Sequence, residues 1–174
     1  MFFYLKADFI QYVINLIYQV NKRVNCKITQ IQIQKIIYIV YAYFLLFVKP
    51  IAKIDFETWR WGPVIYVLWK TQTKFKAHNV KLEFDQNITN QYQDADIESL
   101  CLKIIEFMLK MQTWDIVEIC HEQTPWKKLY VPNRNIKIKD EDIYKFHKTH
   151  PDNFFDYLHF VIENHKKQDN LLKN

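Results

Sequence analysis

The chain has 174 residues, a formal net charge of +5, and a composition that is 49% hydrophobic, 25% charged and 17% aromatic. That length and balance describe one globular domain able to bury a core without disulfides or metals. One glycine and five prolines exclude a turn-rich all-β fold, whose corners consume both residue types. A mainly α fold is expected: a compact helical domain around a buried central helix, with a small β-hairpin or short sheet.

The Lys and Arg residues are scattered rather than blocked. The charge therefore reads as a solvated surface, and nucleic acid is not the expected partner. Cys26, Cys101 and Cys120 form no CxxC pair and no even framework, which points to reduced thiols in a cytoplasm. The N-terminal MFFYLK lacks the basic start and small-residue cleavage site of a signal peptide.

In chain order, Phe9, Val13, Leu16, Ile17 and Val20 recur at helical spacing over 8–20, with Asp8 as N-cap. Thr29 and Gln32 fit a capping box that opens a helix over about 30–48. Its apolar run, 36–48, is shorter than the roughly 20 residues of a membrane span and predicts a helix contacted on several sides. Pro50 ends it, and 51–59 reads as a short extended segment. A helix is expected from Pro63 to about Phe75, a strand over 78–85 from the alternation of Val80, Leu82 and Phe84, and a loop over 86–93. From Asp96, Ile97, Leu100, Cys101, Ile104, Ile105, Met108 and Leu109 keep the i, i+3, i+4 rhythm of an amphipathic helix. Thr113 should cap a helix over 114–120, Pro125 open a short one at Trp126, and Asp140 cap one to about His147. Asp152 should cap a last helix to about Asn164, with Phe154, Leu158, Val161 and Ile162 inward and residues 166–174 as a frayed tail.

The sole glycine lies in FETWRWGPVIYVLW, residues 56–69, beside three of the five tryptophans. A residue before proline is pushed toward extended geometry, and proline suits a helix's first turn, so Gly62-Pro63 reads as an extended-to-helix corner. In an extended segment Trp59 and Trp61 would share one side and Arg60 face the other. This stretch resembles the F-x-x-W-x-x-G-P-V signature of the Panacea domain family, which contains SocA-like antitoxins and phage-associated proteins of prophages. Phe56, Trp59, Gly62 and Pro63 carry that match. IQIQKIIYIVYAYFL (31–45) is similar to the family's L-x-K-L-L-Y helix through Gln34, Lys35 and Tyr38. CHEQTPWKKL (120–129) is similar to T-H-x-E-x-P-W through His121, Pro125 and Trp126. It departs in Cys120, where Thr is usual, and in Glu122, which follows His directly. The resemblance covers about 8–147 and leaves 150–174 as an additional helix and tail. It implies a mostly helical domain that binds and neutralises a toxin encoded beside it, in one mode by delivering that toxin to a Clp-type protease.

The same residues admit other readings. His121 with Glu122 is not a zinc helix, because H-E-x-x-H would need histidine where Pro125 stands. Adjacent Cys120 and His121 point about 100° apart on a helix and make a poor nucleophile–base pair. His147 and His150 are close in sequence, but Pro151 and the helix end argue against a metal clip there. Lys35 fits a snorkelling stem with its ammonium at the rim, or an ion pair holding helices in register. Trp59, Trp61 and Trp126 fit core aromatics, while Trp59, Arg60 and Trp61 also have the residue types of a binding hot spot. The sequence thus predicts a non-enzymatic, cofactor-free cytoplasmic antitoxin, with homo-oligomerisation left open. Its rivals are a DNA-binding regulator, a prophage-associated interaction protein without a toxin, and an enzyme built on Cys120, His121 and Glu122.

Overall fold

A computed structural model describes residues 2–73 and 80–171. The order of elements is α1 (Lys6–Val24), α2 (Gln30–Phe47), β1 (Phe56–Trp59), β2 (Gly62–Val64), α3 (Tyr66–Gln72), α4 (Gln86–Gln91), α5 (Ala95–Leu109), α6 (Thr113–Glu122), α7 (Trp126–Leu129), β3 (Lys137–Ile138), α8 (Asp140–Thr149) and α9 (Phe154–Leu171). It is the expected mainly α fold with a small sheet, here three antiparallel strands in the order β2-β1-β3.

The expected capping box is present: the Thr29 hydroxyl accepts from the Gln32 amide, and the Gln32 side chain accepts from the Thr29 amide. From that anchored start, α2 runs through the centre, and from Gln32 to Leu45 every residue is buried. By length and composition α2 could cross a bilayer, but its faces are covered by protein, as expected of a core helix. α1, α3, α5, α6, α8 and α9 and strand β2 all pack against it. The predicted inward stripes of α1 and α5 are buried, apart from half-buried Leu109.

Several boundaries differ from expectation, each for a local reason. α1 begins at Lys6 with Leu5 as N-cap, and Asp8 lies in its first turn, where its carboxylate accepts the Tyr92 hydroxyl. Residues 62–64 are strand rather than helix, paired with 57–59. Pro63 is tolerated because β2 is a sheet edge, and α3 starts only at Tyr66. The predicted end of that helix at Phe75 lies outside the described residues, as do 78 and 79 of the expected strand. Residues 80–85 are not strand; Val80 makes a single backbone bond to the Ile28 carbonyl. The expected loop at 86–93 contains α4, because the Asp85 side chain accepts from the Asn87 amide and starts a turn. The caps of α5, α6, α8 and α9 fall at Asp94, Gln112, Lys139 and Asn153. Phe155, rather than Phe154, is fully buried, and α9 continues through most of the expected tail to Leu171.

Asn15, buried in α1, holds α4 in place. Its amide donates to the Asp85 carbonyl at 2.7 Å and to the Thr89 hydroxyl at 3.0 Å, while its oxygen accepts the Asp85 amide at 2.9 Å. Replacing Asn15 by Ala removes three bonds at once from the half-buried Asp85 and Thr89. Asn15→Ala should lower unfolding free energy by about 2–3 kcal/mol, measured by urea denaturation; a loss below about 0.5 kcal/mol would show that the bonds are readily replaced by water.

Candidate functional site

Strands β1 and β2 form a hairpin whose connecting residues are only Arg60 and Trp61, since Trp59 pairs with Gly62. The primed turns of two-residue hairpins need positive φ at one or both central residues. Here neither is positive, and the left-handed conformation falls on Gly62, at φ +97°. Gly62 thus sits at a hairpin rather than at the predicted strand-to-helix corner. The turn also breaks strand alternation, so Trp59 and Trp61 do not share a side as expected. Trp59 packs on Trp69 at 4.9 Å and donates its indole N–H to Glu57 at 2.8 Å. Trp61 instead meets Trp114 of α6 at 5.4 Å, edge to face.

Positive φ is half of the requirement for glycine. A Cβ on Gly62 would stand 2.9 Å from Lys35 Cε, 3.0 Å from its Nζ and 3.3 Å from Cys120 Cβ. The glycine leaves room for a lysine that is 1% exposed. Lys35 neither snorkels nor pairs with a carboxylate among the described residues. Its ammonium donates to the Pro63 carbonyl at 2.8 Å, the edge-strand carbonyl following Gly62. Burial pulls its pKa down to about 8, and Cys120 partly opposes that shift.

Neighbouring residues of α2 continue the same work. Gln34 grips Ile65 from both sides, accepting its amide at 2.8 Å and donating to its carbonyl at 3.3 Å. Gln30 donates to the Trp69 carbonyl at 3.0 Å. The Tyr38 ring meets Phe56 edge-on at 5.0 Å, while its hydroxyl is buried on the Thr124 side. From the opposite side Trp126 donates its indole N–H to the Trp59 carbonyl at 2.8 Å. Its own backbone amide is bonded by Thr124, whose hydroxyl donates to the Cys120 carbonyl. His121 stacks on Trp126 at 3.9 Å with an interplanar angle of 11°, and its buried Nε2 is unpartnered among the described residues. Burial and Lys35 both lower the His121 pKa; Glu122 and the Arg60 carbonyl oppose them. At the motif's departure, Gln123 accepts the Phe154 amide at 3.3 Å and so ties α6 to α9.

The structure therefore gathers Gln34, Lys35, Tyr38, Phe56, Gly62, Pro63, His121, Pro125 and Trp126 around one hairpin, with Trp59 on its flank. These groups are placed to hold backbone. Burial pushes the Cys120 thiol up to about 12, which leaves it a weak nucleophile. The cavities of about 510 and 740 Å³ open between other elements. His147 bonds Asp156 and His150 stacks on Phe146. Sequence reasoning missed Trp114; its one signal is a large aromatic out of phase with the buried Ile116, Val117 and Cys120 of α6.

A family model described as antitoxin SocA-like, Panacea domain, matches residues 33–127, more than half of the chain and the whole of this constellation. No curated protein and no solved structure matches the chain.

Two outcomes follow from the buried lysine. Gly62→Ala should cost about 2–4 kcal/mol, combining a strained φ with a clash against an enclosed side chain; a loss under about 1 kcal/mol in urea denaturation would refute the close fit. Because the folded pKa of Lys35 lies below the ordinary 10.5, the penalty for its charge is fully present below about pH 8. It fades as pH rises toward 10.5. The stability of the native chain relative to Lys35→Met should rise by about 2–3 kcal/mol between pH 7 and pH 10. Taking that difference cancels the opposing ionisation of the buried groups that Lys35 does not touch, and a flat difference would contradict the assignment.

Proposed function

The chain belongs to the SocA-like Panacea domain family, and on that footing we propose that it is the antitoxin of a toxin–antitoxin pair. It works in the cytoplasm by direct binding of a cognate protein toxin, with no bond-breaking chemistry of its own. The family match carries this reading. The uses to which the matched residues are put support it: Gln34, Lys35 and Trp126 spend their polar groups on hairpin backbone, the work of a rigid presenting scaffold. As a second step, the bound toxin is handed to a Clp-type protease, with the chain acting as adaptor.

Co-expression with the product of each adjacent open reading frame tests both steps. One neighbour should arrest growth, and this chain should restore growth and co-purify with it. The toxin's half-life should shorten when the chain is present, and lengthen again in cells lacking the Clp protease. Absence of any toxic neighbour, or failure to rescue one, removes the antitoxin assignment. Rescue with unchanged toxin half-life removes only the adaptor step.

A further inference from the structure

The tip of the hairpin and the outer face of α6 form a surface that the hairpin lock does not use. Trp61 and Trp114 are 42% and 59% exposed, far above the usual for indoles in a folded chain. They hold each other edge to face at 5.4 Å, and the Arg60 guanidinium lies 4.6 Å over the Trp61 ring. Each ring is thus fixed before any partner arrives, which lowers the ordering cost of binding. Exposed, preorganised Trp and Arg are the residues that dominate protein-binding hot spots.

The charge beside the indoles identifies what can dock there. α6 carries Asp115, Glu118 and Glu122 and no Lys or Arg. Glu118 lies one turn from Trp114 and shares its face. Glu122 is paired with Lys127, whereas Asp115 and Glu118 make no ion pair among the described residues. On a chain of net charge +5, Asp115 and Glu118 form a local acidic strip flanking an apolar step whose one adjacent cation, Arg60, is engaged over the Trp61 ring. Phosphate backbones and anionic lipid surfaces are repelled by it. A second copy packed by a two-fold axis would set the strip against itself. A protein segment presenting apolar side chains flanked by Lys or Arg satisfies both parts.

We propose that Trp61, Trp114, Asp115 and Glu118 form the docking surface of the chain, and that its occupant is an amphipathic, basic segment of the partner protein. For its biological occupant this rests on the antitoxin reading; the chemistry it recognises does not.

Two helical probe peptides of about 15 residues, long enough to hold a helix, separate the cases: one of Leu and Lys, the other of Leu and Glu at the same spacing. The Leu/Lys peptide should bind and shift the indole N–H resonances of Trp61 and Trp114. Trp114→Ser, and separately the pair Asp115→Lys with Glu118→Lys, should each weaken it about tenfold or more. The remaining backbone resonances should stay in place. Binding should also weaken with added salt. Equal binding of the Leu/Glu peptide, no binding of either, or unchanged affinity in the variants overturns the proposal. So does self-association, or binding of anionic vesicles, through the same indoles. A neighbouring toxin rescued equally by native chain and variants sinks this surface while leaving the antitoxin reading intact. Absence of any toxin sinks that reading and leaves the peptide result to stand.

Discussion

The fold turns on one buried ammonium. Lys35 projects from the central helix into a site with no carboxylate among the described residues, and donates a hydrogen bond to the Pro63 carbonyl. Moving a charge out of water costs several kcal/mol unless polar groups replace the lost hydration, and one carbonyl is a modest replacement. The contact survives because the lysine stem is long enough to reach the edge strand while packing with the core. It also needs the one residue type that lets it pass. Gly62 supplies both the missing Cβ and the positive φ of the hairpin, so a single glycine answers a steric demand and a conformational one.

That contact explains why an apolar helix carries polar residues at its start. A helix that is oily all round can slide or rotate in its socket at little cost, because dispersion and area burial are not directional. Gln30, Gln34 and Lys35 add bonds that form in one register only, each to backbone between Pro63 and Trp69. Trp126 and His121 close on the other side through Trp59 and a stacked ring. The hairpin is thereby held from three helices at once, α2, α6 and α7, and its tip inherits a fixed position. Stability is surrendered at the ammonium, and orientation of the two residues at the tip is gained.

Much of this was legible from residue types, and the reasons for the misses are specific. The capping box at Thr29, the enclosed character of α2 and the stripe of α5 are local patterns, and local patterns survive folding. The three motif blocks were legible as a set, though not what each residue does. Residue type alone points Lys35 to a rim position or an ion pair, because a buried, unpaired ammonium is rare, and its acceptor lies 28 residues along the chain. Gly62-Pro63 was read as a helix start because proline serves both a first helical turn and an edge strand; only the pairing of 62–64 with 57–59 decides between them. The two-residue β3 has too little sequence to show a period, and it exists because Phe56 and Glu57 offer it a partner.

The same geometry bears on how one scaffold can both be stable and recognise. On the inner side of the hairpin Gln34, Lys35 and Trp126 aim their polar groups at backbone, so substitutions there disturb the whole domain. At the tip, Arg60 and Trp61 are exposed and add no strand pairing; their backbone is set by the residues below them, and their side chains by contact with each other and with Trp114. Trp114 is likewise placed by the buried Ile116, Val117 and Cys120 on the opposite side of α6. A surface of this kind can change its side chains, and hence its partner, without touching the lock that orients it. The division runs through adjacent residues: a Cβ on Gly62 would stand 2.9 Å from Lys35 Cε, whereas its neighbour Trp61 faces solvent. A docking surface one peptide bond from a buried clamp is rigid at no further cost.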